Sequence, residues 1–572
     1  MTHAVGGCGS VADYGLIGDG RSCAVLTRNG AVVFLCWPRF DSDACFAALL
    51  GDERHGSWTM APREPVRERR WRYRPDTAIL ETEHDTAGGR VRVTDALAWT
   101  SEHPVLIRVV EGLEGSVPMR TECRLRFDNG RIKPWMHRGE GGMCAEIGPD
   151  RVVLSSPVDL GRENSDATAS FTVSRGERLS FALTYSSSFS PMPSPPEPER
   201  LLTETESVWR EWIGRFDKPC EWSEAVKRSL ITLRLLTDRH TGGIVAAATT
   251  SLPEQPGGDM NWDYRYCWLR DSTFTLTALL NAGFETEARR WRDWILRAIG
   301  GEPAHMQIAY RIDGARRLDE YEASWLPGWQ DSRPVRIGNA ASNQIQIDVY
   351  GELLDSFDVA ARAGIERTER IAEVERAIVE HLEGAWDKPG HGIWEGRGEP
   401  EQHIYSQAMA WAGINRFLRA HGGDDDASRR FRALEKHIHD TICARGYSRS
   451  RGRFVRTYDD EAIDASLLLL PIIGFLPASD PRIASTIGAI ERELMEGGLV
   501  RRKPAGSGPG EEGAFLACSF WLADCYQLQG RDEDARTMLE RIIGLSNDLG
   551  LLSEEYHVPS KRLIGNTPQA LS

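Results

Sequence analysis

The sequence lacks any long hydrophobic run, and no stretch of it approaches the length of a membrane-spanning segment. A transmembrane helix needs about 20 predominantly apolar residues, and a secretory signal needs a basic segment followed by an apolar one. The N-terminus, MTHAVGGCGSVADYG, has neither feature. We therefore expect a cytoplasmic protein with no membrane partner.

Paired cysteines and basic clusters are missing as well. The eleven cysteines are scattered singly without a CxxC motif, and no histidines cluster at metal-ligand spacing, which argues against a disulfide framework or a zinc site. The net charge of −15 disfavours nucleic acid, which rewards clustered Lys and Arg. A small neutral or cationic ligand, with no metal and no cofactor, is the remaining expectation, and a homo-oligomer stays open.

A chain of 572 residues is too long for one ordinary core and predicts more than one domain. From Tyr14 to Ser188 it consists of short alternating segments separated by turn residues, with an Asn29-Gly30 hairpin signal near the start. This period of two is typical of a β-sandwich. We assign residues 1–190 to an N-terminal β-sandwich domain.

The segment FSPMPSPPEPERLL places five prolines close together, which indicates an extended linker over residues 191–220. From residue 221 the hydrophobic period changes to about 3.6 residues, so residues 221–572 are predicted to be helical. Alternating short and long links between the patterns indicate a chain of helical hairpins. Eleven helix-length patterns follow one another, at 221–238, 271–283, 284–299, 340–363, 366–386, 404–421, 427–445, 460–474, 480–495, 512–529 and 531–546.

The long links carry most of the unusual residues of the helical region. They are rich in Trp, Arg, Asp and Glu, as in NWDYRYCWLRDS and GIWEGRGEPEQHIYS. If every second helix belongs to an inner ring, these links lie together at one end of it. Aromatic faces, carboxylates and guanidinium groups around one pocket are typical of a carbohydrate site.

These links and the N-terminal segment together resemble glycoside hydrolase family 15, the glucoamylase and trehalase family. The resemblance covers nearly the whole chain, because its motifs occur in order over more than 500 of the 572 residues. The motifs are DYGLIGDGRSCAVLTRNGAVVFLCWPRFDSDACFAALLG, TTSLPEQPGGDMNWDYRYCWLRDS, SRPVRIGNAASNQIQIDVYGELLDS, GIWEGRGEP, EEGAFLACSFW and LLSEEY.

The resemblance implies an N-terminal β-supersandwich followed by a C-terminal (α/α)6 barrel of twelve helices. The hairpin count agrees with that fold except at the end. Only eleven helical patterns precede Ser572, so we expect a barrel that lacks its last helix. The missing helix would leave apolar faces of its neighbours exposed.

The resemblance also implies inverting hydrolysis by two carboxylates. Glu395 of GIWEGRGEP matches the general acid and Glu554 of LLSEEY the general base, while the adjacent Glu555 competes with Glu554 on physical grounds. An inverting pair is separated by roughly 6.5–9.5 Å so that a water fits between them. Trp394 partly desolvates Glu395, which favours its protonated form.

The resemblance further implies a set of residues that bind the terminal glucose of the substrate. Ordinary structural roles compete with each of them: core packing for the aromatic residues, an ion pair for the Arg-Asp pair, and solvation for the lone arginine. We assign Glu399, Glu401, Glu511 and Glu512 to helix starts, where carboxylates are favoured. The matched residues are Tyr264, Trp268, Arg270, Asp271, Trp394 and Arg502.

The resulting hypothesis is an exo-acting α-glucosidase that releases glucose from trehalose or from an α-1,4 or α-1,6 glucan or oligosaccharide. Two alternatives remain open. A glycoside phosphorylase would keep one acid and replace the base with a phosphate pocket. A catalytically impaired protein, truncated before its last helix, would bind sugar without hydrolysing it.

Overall fold

The computed structural model describes residues 9–458, 460–506 and 512–572, and it divides into a strand-rich part and a helical part. The strand-rich part ends with Ser187, close to the predicted change of period. Its strands are connected through pairing into one fifteen-stranded network. They are β1 (Tyr14–Gly18), β2 (Cys23–Thr27), β3 (Val32–Cys36), β4 (Ala44–Phe46), β5 (Ser57–Pro62), β6 (Glu68–Tyr73), β7 (Leu80–Asp85), β8 (Gly89–Leu97), β9 (Val105–Arg124), β10 (Trp135–Gly139), β11 (Gly142–Ile147), β12 (Asp150–Ser155), β13 (Gly161–Glu163), β14 (Asp166–Ser174) and β15 (Arg178–Ser187).

The long strand β9 joins two groups of strands. Its first half pairs with β8 and β15, whereas its second half, from Ser116, pairs with β5 and β14. Hydrophobic side chains such as Val110 and Val117 are buried on both halves. One continuous strand therefore ties the two groups together.

The predicted linker needs correction, because part of it is a helix. Residues 191–197 have no regular structure, but α1 (Pro198–Ile213) occupies much of the segment assigned to an extended linker. Pro198 stands in the first turn, where proline is tolerated, and Leu202, Trp209 and Trp212 are buried on one face. The proline cluster thus starts a helix that packs against the strands, instead of extending to residue 220.

Each of the eleven predicted helical patterns contains a helix in the structure. The pattern at 460–474 contains only a 3₁₀ turn (Ala465–Leu468) and one short helix, and the patterns at 340–363 and 512–529 begin their helices later than predicted. The helices are α2 (Ser223–Leu235), α3 (Leu269–Asn281), α4 (Glu285–Ala298), α5 (Asp348–Arg362), α6 (Glu369–Leu382), α7 (Ile404–His421), α8 (Asp426–Arg445), α9 (Leu469–Ile472), α10 (Pro481–Glu493), α11 (Leu516–Leu528) and α12 (Asp532–Ile543).

Alternate helices form an inner row. Helices α3, α5, α7, α9 and α11 contact one another in that order, and four of them contact the outer helix that follows them in the chain. The rings of Phe274 on α3 and Trp521 on α11 stack with their centres 6.1 Å apart, so these two helices also contact each other. The long links therefore lie together at the N-terminal ends of the inner helices, as the hairpin pattern predicts.

Short two- and three-stranded sheets lie in the links between the helices of the helical part. After α12 the described residues form strands and turns up to Ser572, with no further helix among them. No helix in the described ranges is long and apolar enough to cross a membrane. The strands are β16 (Cys267–Trp268), β17 (Ala309–Tyr310), β18 (Tyr321–Glu322), β19 (Arg336–Ile337), β20 (Tyr447–Ser448), β21 (Arg453–Phe454), β22 (Met495–Glu496), β23 (Leu499–Val500), β24 (Ala514–Phe515), β25 (Glu555–His557) and β26 (Arg562–Ile564).

Candidate active site

A pocket of about 400 Å³ opens at the N-terminal ends of the inner helices. Its lining includes all eight residues singled out in the sequence, although they are spread over almost 300 positions of the chain. Its lining combines aromatic rings with side chains of both charges, as expected for a site that binds a polyhydroxylated molecule. The eight are Tyr264, Trp268, Arg270, Asp271, Trp394, Glu395, Arg502 and Glu554.

Arg270 and Asp271, in the first turn of α3, form an ion pair that reaches Glu395. The Arg270 Nε atom donates to Asp271 Oδ1 at 2.8 Å, and its Nη1 atom donates to the backbone oxygen of Ile393 at 2.7 Å and to Glu395 Oε1 at 3.2 Å. The guanidinium therefore links the start of α3 to the loop that carries Glu395.

The backbone of Glu395 is held in the left-handed region, with φ of 54°. A non-glycine residue there costs on the order of 1–3 kcal/mol and persists only where its surroundings hold it. Gln344 supplies one such restraint, since its Nε2 atom lies 3.1 Å from the backbone oxygen of Glu395 and 3.2 Å from that of Gly396. Sequence patterns do not reveal this strained turn.

Trp394 forms a wall of the pocket. Its ring lies 6.0 Å from those of Phe515 and Trp521, and its Nε1 atom donates to Asp464 Oδ2 at 2.9 Å. The indole is thus fixed in place by α11 and by the link that precedes α9. Sequence analysis did not single out Asp464, Phe515 or Trp521.

Burial raises the pKa of Glu395, the Arg270 guanidinium opposes this shift, and the Asp271 carboxylate adds to it. The direction agrees with the sequence prediction of a carboxyl that holds its proton above the usual pH. The setting is more polar than the adjacent tryptophan suggests, because a guanidinium touches the carboxylate.

Glu554 is fully buried and accepts two hydrogen bonds. The Tyr264 hydroxyl lies 2.7 Å from its Oε1 atom, and the backbone N–H of Asn566 donates to Oε2 at 3.3 Å. Burial, reinforced by the Glu254 carboxylate, raises the pKa of Glu554 to about 8, although Arg502 and the Tyr264 hydroxyl favour its charged form. Glu395 and Glu554 therefore both hold protons more strongly than ordinary glutamates do.

Glu554 and its neighbour Glu555 have different surroundings. Glu554 lines the pocket, while Glu555, the first residue of β25, lies 2.9 Å from Arg502 and accepts from the backbone N–H of Gly513. This separation could not be derived from the sequence, where the two carboxylates are equivalent.

Arg502 is held by three carboxylates, from Glu254, Glu512 and Glu555. The oxygens of these glutamates lie within 4.8 Å of one another, a spacing that can hold a metal ion. The guanidinium already places a positive charge among them and is well suited to bridge several carboxylates. Glu512 thus has a role that its prediction as a helix-start residue missed, and Glu511 lies outside the described residues.

Trp262 lines the pocket beside two arginines. The guanidinium carbons of Arg336 and Arg397 lie 4.4 and 4.2 Å from its ring centre. The two remaining carboxylates of the Glu395 loop do not line the pocket: Glu399 is exposed, and Glu401 pairs with Arg456 at 3.4 Å. Both of those glutamates were assigned structural roles from the sequence, whereas the contacts of Arg336 and Arg397 with Trp262 were not predicted.

Comparisons with known proteins point to one class, the glycoside hydrolases. The model for glycosyl hydrolases family 15 matches residues 222–572, and a model described as trehalase-like, N-terminal, matches residues 8–200. The chain belongs to glycosyl hydrolases family 15 and is a glycoside hydrolase.

Individual relatives match over the full length. The chain is 36% identical to a trehalase of Mycolicibacterium smegmatis over 98% of this chain and 89% of that protein. It is 31% identical to a trehalase of Thermoplasma volcanium over 98% of this chain and 91% of that one. The fold is similar to that of a bacterial glucoamylase complexed with acarbose, with a TM-score of 0.71, 12% identity, and coverage of 98% and 91%.

Proposed function

We propose that the chain is an inverting, exo-acting α-glucosidase whose substrate is trehalose. The observation that carries the proposal is the meeting of Glu395 and Glu554, from two distant links, in one pocket with Arg270 and Asp271. The choice of trehalose over α-glucans rests on the names of the full-length relatives, which are trehalases.

In the proposed reaction, Glu395 donates its proton to the glycosidic oxygen as the carbon–oxygen bond breaks. Glu554 accepts a proton from a water that attacks the anomeric carbon from the opposite face. Two glucose molecules leave, one of them with inverted configuration. At the end of the reaction Glu395 has lost one proton and Glu554 has gained one. Such proton transfers contribute typically about 10²–10⁴-fold to the rate.

The surroundings of each carboxyl support these roles. The Tyr264 hydroxyl and Asn566 N–H donate to Glu554 and so stabilise its ionised form, which a base requires. The raised pKa of Glu395 keeps a proton available. Because burial raises the pKa of both groups, the division of roles follows the family pattern and needs a direct test.

The aromatic and charged wall is proposed to bind the terminal glucose. The Arg270 guanidinium and the Asp271 carboxylate lie near Glu395. Sugar hydroxyls would accept hydrogen bonds from the guanidinium and donate to the carboxylate. Trp268, Trp394 and Tyr264 offer ring surfaces and a hydroxyl to the sugar. Arg502 is proposed to contribute mainly its charge, because its guanidinium is already bound by three carboxylates.

Proton NMR of early products tests the stereochemistry. Inverting hydrolysis of trehalose gives equal amounts of α- and β-glucose before mutarotation, whereas retention gives α-glucose alone. Maltose, isomaltose and glycogen serve as parallel substrates, and we expect trehalose to be hydrolysed fastest. Formation of glucose 1-phosphate only in the presence of phosphate would identify a phosphorylase instead.

Truncated variants separate the two carboxylates. Glu395→Ala should lose about 10²–10⁴-fold on trehalose but retain hydrolysis of α-glucosyl fluoride, whose leaving group needs no proton. Glu554→Ala should lose both activities and recover with azide, which replaces the activated water. Glu555→Ala is the matched control, and azide should not rescue it; azide rescue of Glu555→Ala instead would move the base to that residue.

A further inference from the structure

A second large cavity lies between the strand-rich and helical parts, and we call it the interdomain cleft. Its volume is about 600 Å³, within the range of small-molecule sites. Its floor is built by Trp37 and Phe127 from the strand-rich part and by Tyr266 and Ile337 from the helical part. All four side chains are buried, so the cleft is a feature of the fold and not a gap between surface loops.

The cleft presents donors and acceptors that the protein leaves unused. The Nε1 atom of Trp37 has no hydrogen-bond partner among the described residues. Arg317 and Asp319, exposed on the rim, make no hydrogen bond or ion pair through their side chains within the described part of the chain. One rim therefore carries an unengaged guanidinium beside an unengaged carboxylate.

This mixture selects against ligands of a single charge. The charged side chains that line the cleft are Arg311, Arg317, Asp41, Asp43, Asp128, Asp150 and Asp319. Four of the five carboxylates already have partners within the described residues, in Arg311, Asn129, Arg131 and Tyr185, so the charges left unengaged are one guanidinium and one carboxylate. A hydroxyl group both donates and accepts, so a neutral polyhydroxylated molecule satisfies both kinds of group at once.

The aromatic surface of the cleft fits the same class of ligand. Tyr321 stands at its edge with 42% of its surface exposed and supplies most of the accessible ring surface, whereas Trp37 and Tyr266, 4% and 2% exposed, close the floor. Aromatic rings provide apolar faces against which the C–H surfaces of sugars pack. We propose that the interdomain cleft is a second carbohydrate-binding site, separate from the candidate active site, for a mono- or disaccharide.

A single two-stranded ribbon separates this site from the active-site pocket. Tyr321 and Ile337, on β18 and β19, face the cleft, and successive strand residues point to opposite sides. Arg336, next to Ile337, lines the active-site pocket, and Glu320, next to Tyr321, accepts from Arg397 at 2.8 Å. A sugar in the cleft would therefore contact the back of the ribbon whose front lines the pocket.

Isothermal titration of the Glu395→Gln variant with trehalose, and separately with glucose, tests the proposal, because this variant slows turnover. We expect two binding events per chain. Adding Asp319→Asn and Tyr321→Ala should remove one event and leave the other. Adding Glu322→Gln, an exposed change on the same ribbon that lines neither cavity, should keep both, and all variants should unfold at the same temperature.

A single binding event that the rim substitutions leave unchanged, or two events that both survive them, would overturn the proposal. Binding of spermidine but of neither sugar, abolished by the same substitutions, would overturn it too. Hydrolysis by the wild-type chain is scored separately. Intact hydrolysis without cleft binding counts against the cleft alone, and cleft binding without hydrolysis counts against the proposed function alone.

Discussion

At the residue scale, the hydroxyl of Tyr264 is the contact that tunes Glu554 most directly. It lies 2.7 Å from the Glu554 carboxylate and favours its ionised form, while burial still raises the pKa of Glu554 to about 8. The base must be ionised to act, so activity falls as the pH drops through its pKa. Removing the hydroxyl raises this pKa further and should move the acidic limb to higher pH.

The prediction is that Tyr264→Phe shifts the acidic limb of the kcat/KM–pH profile upward, relative to wild type. Tyr266→Phe is the control, since Tyr266 is in the same segment but lines the interdomain cleft and not the pocket. An unshifted limb in Tyr264→Phe would show that Glu554 is not the group that titrates there.

The backbone at Glu395 gives a second residue-scale prediction, about stability. With φ at 54°, glycine avoids the steric cost that alanine meets. Glu395→Gly should therefore be more stable than Glu395→Ala by about 1 kcal/mol in urea unfolding. Glu373 is exposed inside α6 and serves as the control. There Glu373→Ala should be more stable than Glu373→Gly, because glycine in a helix costs about 1 kcal/mol relative to alanine. The same order of stability at both positions would contradict the prediction.

Individual site residues were predicted from the sequence to very different degrees. The eight candidates lie around one pocket because their motifs place them on links into the inner helices. What the sequence could not provide is orientation: the choice between Glu554 and Glu555, the three carboxylates around Arg502, and the hydrogen bond from Trp394 to Asp464 depend on which side of a strand or link each group faces.

At the scale of elements, α1 joins the two parts of the chain. Trp212 donates from Nε1 to Glu287 Oε1 at 2.8 Å and lies 4.3 Å from the ring of Phe284, which ties α1 to the start of α4. Trp212→Ala would leave a cavity and remove one of the donors to the buried Glu287 carboxylate, which Arg234 and Arg215 also contact. We expect a loss of about 3–5 kcal/mol in unfolding free energy, measured by denaturant titration.

Trp135 provides the comparison for that prediction. It is 78% exposed on β10, so Trp135→Ala should change stability by no more than about 0.5 kcal/mol. Equal effects of the two substitutions would mean that α1 is not a structural link.

Helix α1 also shows where sequence reading of elements fails. Five prolines signal a linker, yet only one of them is in the helix, in its first turn, and the residues after it follow helical spacing. The eleven later helices were predicted because their apolar positions repeat over longer segments without proline clusters. The linker prediction followed the proline content of the segment and not its helical spacing. The structure agrees with the helical spacing.

At the scale of the whole molecule, the two parts share one continuous hydrophobic core. The main cluster of buried side chains runs from Val11 in the strand-rich part to Leu563 near the C-terminus. Polar contacts cross the same boundary: Trp329 donates to the Tyr14 hydroxyl at 2.9 Å, and Arg265 donates to the backbone oxygen of Ser42 at 2.8 Å. Sequence periodicity separated the two parts correctly but gave no measure of how firmly they are joined.

A shared core predicts that the two parts unfold together. Calorimetry of the full chain should give one transition, and circular dichroism, tryptophan fluorescence and loss of activity should share its midpoint, as for a cooperative unit. Trp329→Phe removes the donor to Tyr14 while keeping most of the buried surface, so it should lower that midpoint without splitting it. Two separated transitions in the wild-type chain would instead show that the two parts unfold independently, as parts joined by a small polar interface do. That result would exclude a shared hydrophobic core that unfolds cooperatively.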